Sequence, residues 1–494
     1  MIQPTLGQCQ QIFEARQFKM IPLSLELFAD ITTPIEVLKR LKTVSKHCFI
    51  LESAERSENW GRYTFLGFDP KLEVSCLNGL LKITSAKDSQ VIKTENPNVQ
   101  IQKILDAHKS VKFDYLPPFA GGLVGYFAYD YVKYTEFPLQ SNICKDEYFR
   151  DVDLMLFDQV IAFDHYRQKI ILIVNISLEK DDLVEAYAFG KKRLERLVEL
   201  VQQAAVQPPE PAQIHSEFKA LFTEAEYCQM VKKAKDYIKE DEILQVVLSN
   251  RFEAEFTGSL LETYRHLRTI NPSPYMFYFS GSDGEVMGAS PETLVKLQDG
   301  TLSTFPLAGT RPRGENEAED KDLEKELLAD QKELAEHNML VDLGCSDLGK
   351  ISKLGTVKVA QYLTVLKFSH VMHIGSTITG EIQDGLSGLD AIQAILPAGT
   401  LSGAPKVRAM EIIHDLERNK RGIYGGAIGY LDFTGNMDTC IAIRLAYRRK
   451  DKVFIRAGAG IVADSKPSLE YQECLNKAKA VKKALEQSVA EYED

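Results

Sequence analysis

Two Glu-x-x-Glu pairs, Glu333/Glu336 and Glu470/Glu473, are the side chains whose type and spacing first suggest chemistry. Residues three apart share one face of a helix, and both pairs lie in helix-forming runs. The first pair continues forward into Leu340 and Leu343; the second flanks the stripe Cys474, Ala478, Val481 and Leu485. One such pair alone reads as a solvated helix face. Two pairs on inward-facing stripes read differently, because carboxylates withdrawn from water need a cation or a proton. An oxygen-only donor set without His or Cys suits Mg²⁺ better than zinc.

The elements that must carry these groups follow from periodicity. One helix is predicted over 317–343 and another from Pro467 onward, with further helices over Leu183 to Val201 and Glu224 to Lys239. Strands are predicted at Leu123 to Phe127, Ile170 to Val174, Leu244 to Phe256, Tyr275 to Phe279, Leu302 to Leu307, Ile423 to Leu431 and Val453 to Ala457. Long helices separate them without strict βαβ spacing, which points to an α+β layering. The Pro-rich stretch Gln202 to Pro211 marks a linker over 202–215, between an N-terminal α/β region, 1–201, and a C-terminal domain, 216–494.

A chain of 494 residues is too long for a single small core. Its net charge of −11 argues against a nucleic-acid backbone as partner. The start Met1-Ile2-Gln3-Pro4-Thr5 lacks the pattern of a signal peptide, and no run has the length of a membrane helix. Scattered cysteines without C-x-x-C pairs read as reduced thiols, and the expected location is the cytoplasm.

From about Phe218 onward, ordered blocks resemble the chorismate-utilising enzymes, and within them the large subunit of anthranilate synthase. They include Leu244 to Ser249, Asn271 to Phe277, Gly288 to Glu292, Pro306 to Gly314, Glu333 to Asp342, Pro397 to Met410, Arg421 to Tyr430, Asp438 to Arg444 and Ala457 to Gly460. The resemblance implies layered antiparallel sheets forming a β-sandwich core flanked by helices. It implies Mg²⁺ held by Glu336 and Glu473, with Glu333 and Glu470 as outer-shell partners holding waters. One block departs from the family: Asp-Leu-x-Arg-Asn-Asp-Leu is replaced by a segment with Gly344-Cys345-Ser346-Asp347-Leu348, from which altered local packing is expected.

The resemblance also assigns roles around a doubly anionic substrate, chorismate. Arg444 matches an arginine that pairs with a carboxylate, although an arginine at a strand end is by itself a common surface cation. Gly458-Ala459-Gly460 would let backbone N–H groups approach the enolpyruvyl carboxylate; the same glycines alone would also suit a tight turn. Gly309, Thr310 and Tyr424 match further substrate contacts. Glu292 matches the general acid that assists departure of the C4 hydroxyl, and His373 matches a site histidine that is otherwise readable as structural.

Two residues discriminate among reactions. Gln245 stands where water-adding relatives place a lysine base, and a neutral amide cannot deprotonate water. Ala308 stands where the aminodeoxychorismate relatives place a lysine nucleophile. Both favour amination at C2 with ammonia, followed by loss of pyruvate, the first step of tryptophan biosynthesis. The segment with Ser53, together with Pro274, Tyr275 and Met276, resembles the family's feedback site for L-tryptophan.

The chain lacks the Gly-x-Cys-x-Gly elbow of a glutaminase, so ammonia is expected from a glutamine amidotransferase subunit in a hetero-oligomer. Two other readings stay open: amination at C4, and a non-catalytic tryptophan-binding regulatory subunit.

Overall fold

The computed structural model describes residues 1–54, 61–135, 149–179, 182–203, 210–282, 284–367 and 371–490. Two large sheets dominate, one of 13 strands and one of 12, with antiparallel pairing throughout their named ladders. The α+β class expected from the sequence is what the chain adopts.

Strands buried on both faces explain the long apolar runs. In Gln159–Asp164, Val160 and Ala162 pack into the core between the sheets with Phe49, Phe119, Val124 and Phe277. Ile161 and Phe163 face the opposite way, into a core shared with helices Leu183–Gln203, Glu224–Lys239 and Pro467–Ala490. This two-residue alternation with both faces buried removes the polar stripe that a half-exposed strand would show. A third core covers the outer face of the second sheet with helices Pro97–Ala107, Gln331–Gly349 and Gly388–Ile395. The layers therefore run helix, sheet, sheet, helix.

Both sheets draw strands from either side of 202–215. Cys48–Glu52 pairs with Tyr275–Ser280, placing Leu51 opposite Phe277. Gly122–Phe127 pairs with Ala427–Asp432, placing Gly125 opposite Gly429. Within the expected linker, residues 204–209 lie outside the described residues, while Gln213 and Ile214 pair with Thr257 and Phe256.

Several boundaries differ from expectation for local reasons. The helix expected over 317–343 is two helices, Glu317–Ala329 and Gln331–Gly349. Between them Asp330 leaves helical geometry (ψ 104) and its carboxylate accepts the N–H groups of Lys332 and Glu333, capping the second helix. The run Leu302 to Leu307 divides into Thr301–Thr304 and Leu307–Pro312 around Pro306, which has no N–H for a ladder. The strand expected to stop at Ala457 continues as Lys452–Ile461, so Gly458, Ala459 and Gly460 lie within it. Residues 423–426 form a turn before Ala427–Asp432. Among the described residues, no helix is long and apolar enough to cross a membrane.

Candidate active site

Glu292 sits where the chain leaves one sheet for the other, between Gly284–Ser290 of the first and Thr293–Gln298 of the second. Arg444 occupies the return crossing, between Met437–Ile441 and Leu445–Arg449, with a left-handed φ of 51. The crossings are tied together: Ile441 N–H donates to the Glu292 carbonyl at 2.9 Å, and Ala289 N–H to the Arg444 carbonyl at 3.1 Å. Irregular backbone at the crossings between the sheets thus presents an acid and a cation near one another.

Burial pushes the Glu292 carboxyl up to about 7, against the opposing pull of the Thr400 hydroxyl, Arg444 and Lys477. Thr400 donates to Glu292 Oε1 at 3.1 Å from the 3₁₀ turn Gly399–Leu401. A carboxyl poised near neutrality can give up a proton at physiological pH. Burial lowers Arg444, with Glu292 the opposing influence, and the guanidinium forms no ion pair among the described residues. It is a partly enclosed cation suited to an incoming carboxylate.

Gly309 and Thr310 form an irregularity in Leu307–Pro312, where the register against Val371–Glu381 shifts between Ala308 and Arg311. Gly309 needs its glycine: φ is +66, and a Cβ would stand 2.9 Å from Leu327 Cδ1 and 3.3 Å from Glu333 Oε2. His373 meets this bulge, its Nδ1 2.8 Å from the Gly309 carbonyl and 3.1 Å from Thr310 Oγ1. A carbonyl can only accept, so Nδ1 carries the hydrogen and Nε2 the lone pair. Burial, with Arg444 nearby, depresses the imidazole's pKa and favours this neutral form.

Gln245 and the Gly458 to Gly460 segment lie on adjoining strands, and the Tyr424 hydroxyl reaches Gly458 from the turn before Ala427–Asp432. Gln245–Thr257 pairs with Lys452–Ile461, placing Val247 opposite Gly460 and Ser249 opposite Gly458. A Cβ on Gly458 would come within 2.4 Å of the Leu248 carbonyl and 2.9 Å of the Tyr424 hydroxyl oxygen. On Gly460 it would come within 2.8 Å of Gln245 Nε2. Both glycines let these groups pack directly against the strand backbone.

The paired glutamates correct one expectation. The buried stripe of Gln331–Gly349 is His337, Leu340, Val341, Asp347 and Leu348; Glu333 is half-buried and Glu336 exposed. Along Pro467–Ala490 the buried stripe is Cys474, Ala478, Val481 and Leu485, with Glu470 half-buried and Glu473 exposed. The carboxylates therefore line a solvent-open edge instead of pointing into the packed side. They still interact across the helices: partial burial, then Glu333, then more weakly Glu473, raise the pKa of Glu336. Glu470 is raised by burial and by Glu473.

Lys477 places its ammonium 2.7 Å from Glu473. Among the described residues no three His, Cys, Asp or Glu side chains close into a metal shell. The donors nevertheless fit Mg²⁺ in kind: they are all oxygens, they repel one another, and a lysine supplies positive charge at the same place.

A separate cavity of about 460 Å³ is lined by Ser53, Pro274, Tyr275 and Met276, together with Lys296 and Asp438. The Cys48–Glu52 to Tyr275–Ser280 ladder builds it, with Ala54 N–H donating to the Ser273 carbonyl at 3.0 Å. The Tyr275 hydroxyl lies 2.8 Å from Thr293 Oγ1 and donates to Asp438 at 2.9 Å.

Thr400 and Lys477 are the site residues that sequence reasoning missed. Only the neighbourhood of Thr400, in a block without an assigned role, and the helical spacing of Lys477 from Glu473 could have pointed to them. In the departing block, Cys345 packs partly buried against the second sheet's core. Asp347 accepts from Lys406 Nζ at 2.9 and 2.8 Å, so the helix stays anchored without the family's Arg-Asn pair.

A fold of two facing antiparallel sheets, with an acid and a cation on the crossings between them, defines a class. Residues 46–483 match the family of chorismate binding enzymes, and the chain belongs to that family. It is 42% identical to anthranilate synthase component 1 of Acetivibrio thermocellus, covering 99% of each chain. It is likewise 42% identical to that of Aquifex aeolicus, covering 96% of each. The crystal structure of anthranilate synthase component I from Streptococcus pneumoniae superposes with a TM-score of 0.74 at 35% identity, over 92% of this chain and 98% of that one. The menaquinone-specific isochorismate synthase MenF of Escherichia coli shares the fold at 19% identity, with a TM-score of 0.69 over 97% of this chain and 98% of MenF.

Proposed function

We propose that the chain is an anthranilate synthase component 1, which aminates chorismate at C2 with ammonia and then releases pyruvate to give anthranilate. The observation that carries this reading is Glu292, a carboxyl held near neutrality beside a cation that forms no ion pair among the described residues. Arg444 and the backbone around Gly458 to Gly460 would receive the substrate's carboxylates, while Gly309, Thr310 and Tyr424 border the ring. In the first stage the C2–N bond forms as ammonia attacks, the ring double bonds shift, the C4–O bond breaks and the hydroxyl departs as water with a proton from Glu292, while the new ammonium group gives up one proton to become the amine. In the second, the C2 proton is removed as the C3–O bond to the enolpyruvyl group breaks, and the released enolate takes up a proton on its methylene carbon, leaving an aromatic ring and pyruvate. Neutral His373 presents the Nε2 lone pair as an acceptor that orients the ring or receives a proton.

Glu336 and Glu473 would hold Mg²⁺, with Glu333 and Glu470 behind them on waters. When bound, the ion would neutralise the ring carboxylate and fix its position. Gln245 supports ammonia over water as nucleophile because it lacks a basic group. Ala308, buried opposite Ile374, supports C2 over C4 because it cannot form a covalent intermediate.

Ammonia would come from a glutamine amidotransferase subunit in a hetero-oligomer. L-tryptophan would bind in the cavity at Ser53, Pro274, Tyr275 and Met276, whose size suits a small ligand. Aromatic walls there adjoin Lys296 and Asp438, a combination suited to an indole and an amino-acid zwitterion.

Purified chain given chorismate, Mg²⁺ and an ammonium salt should produce the fluorescence of anthranilate. Absence of turnover would instead support a regulatory subunit, and an amino group at C4 would support the alternative synthase.

A further inference from the structure

We propose that Arg421 is a positioning residue for the acid Glu292, acting through the Leu401 carbonyl and the Thr400 hydroxyl; this rests on the reading of Glu292 as the general acid. Arg421 is among the largest fully buried side chains of the molecule, at 2% exposure. Its guanidinium does two things at once. Nε and Nη2 donate to Glu417 at 3.0 and 2.6 Å, while Nη1 donates to the Leu401 carbonyl at 2.7 Å and Nη2 also reaches the Val247 carbonyl at 2.6 Å.

The two carbonyls belong to the elements that carry the site. Leu401 ends the 3₁₀ turn Gly399–Leu401, and its carbonyl is one that a helix end leaves without a partner. Thr400, the residue before it, donates to Glu292 Oε1. Val247 lies two residues beyond Gln245, and its N–H donates to the Ser402 carbonyl at 2.9 Å. The same guanidinium lies 4.6 Å from the Tyr129 ring centre and 6.0 Å from that of Tyr424.

Charge balance does not require Arg421 to be there. Glu417 also accepts from Arg456 Nη2 at 2.9 Å, from Ser249 N–H at 2.8 Å and from Ser249 Oγ at 3.0 Å. The second arginine thus adds a rigid planar fork that registers the Thr400 turn against the Gln245 strand. A lysine would keep the charge beside Glu417 but could not span both carbonyls with fixed geometry.

The test is a double-mutant cycle on Arg421→Lys and Thr400→Val in the full chain, reading ammonia-dependent turnover of chorismate with Mg²⁺. Arg421→Lys should lower kcat roughly 10- to 100-fold, as expected for a misplaced catalytic group, with the KM for chorismate little changed. The double variant should be no slower than Thr400→Val alone, because both substitutions break one chain of contacts. Arg421→Met, which removes the donors altogether, should fall at least as far as Arg421→Lys.

Multiplying losses in the double variant, a raised KM with unchanged kcat, or full activity of Arg421→Lys would each overturn the proposal. Failure of both Arg421 variants to fold would also overturn it, in favour of a purely structural role. Glu292→Gln separates the two readings. Full activity there removes the acid itself, whereas loss there with multiplying effects in the cycle removes only Arg421.

Discussion

Glu292 and Arg444 occupy the two crossings that carry the chain between its facing sheets, and the backbone bonds that pair those crossings hold acid and cation together. Neither position belongs to a regular ladder. Each is fixed by the strands on both sides, which makes the crossings a rigid place for an acid and a cation.

The first consequence is a pH dependence. Glu292 is the proton donor in the proposed reaction, and burial raises it to about 7. Turnover should therefore fall as pH rises through that value, because the donor is lost. Thr400→Val removes a bond that favours the ionised form, so the falling limb should move to higher pH while the maximal rate drops. Glu292→Gln should cost on the order of 10²- to 10⁴-fold in kcat. A falling limb that stays in place in Glu292→Gln would contradict the assignment.

Stability should move in the same sense. The folded state holds the Glu292 proton more tightly than the unfolded state, whose carboxyl has the ordinary value of 4.5. The native form then binds more protons across that interval, so the group's contribution to stability declines from about pH 4.5 to about pH 7 and levels off above it. Glu292→Gln should accordingly raise the Tm at pH 7.5 more than at pH 4, read by thermal melts at the two pH values. An equal shift at both would count against a raised carboxyl.

Glu473→Gln should abolish Mg²⁺-dependent turnover, measured by titrating the metal against activity. Near-normal activity at low Mg²⁺ would remove Glu473 from the ligand set. Because Lys477 lies 2.7 Å from Glu473, Lys477→Met should alter the apparent metal affinity as well.

L-tryptophan should inhibit at low chorismate. Ser53→Phe, which fills part of the cavity at the junction of the two strands, should relieve that inhibition while leaving the uninhibited rate near normal. Tryptophan inhibition curves on the two proteins decide the point; identical curves would place the effector elsewhere.

Much of this arrangement was legible because it is local. The stripe Cys474, Ala478, Val481 and Leu485 reads directly from helical spacing and is buried as expected. The break at Asp330 was not legible, since the residues on both sides favour helix and only the capping geometry reveals a new start. Nor was the outward placement of Glu336 and Glu473, which flank a buried stripe that spacing alone assigned to their own face.

The remainder depended on contacts distant in sequence. Leu51 opposite Phe277, and Gly125 opposite Gly429, join the two sides of the Pro-rich stretch into common sheets that no local pattern announces. Thr400 is separated from Glu292 by 108 residues and reaches it only because a 3₁₀ turn is held beneath the acid.

The most direct test follows the nitrogen. Chorismate incubated with the chain, Mg²⁺ and isotopically labelled ammonium should yield an aromatic product carrying the label on the carbon next to the ring carboxylate, with one pyruvate released for each amine formed. Label on the carbon opposite the carboxylate, or a product without nitrogen, would contradict C2 amination.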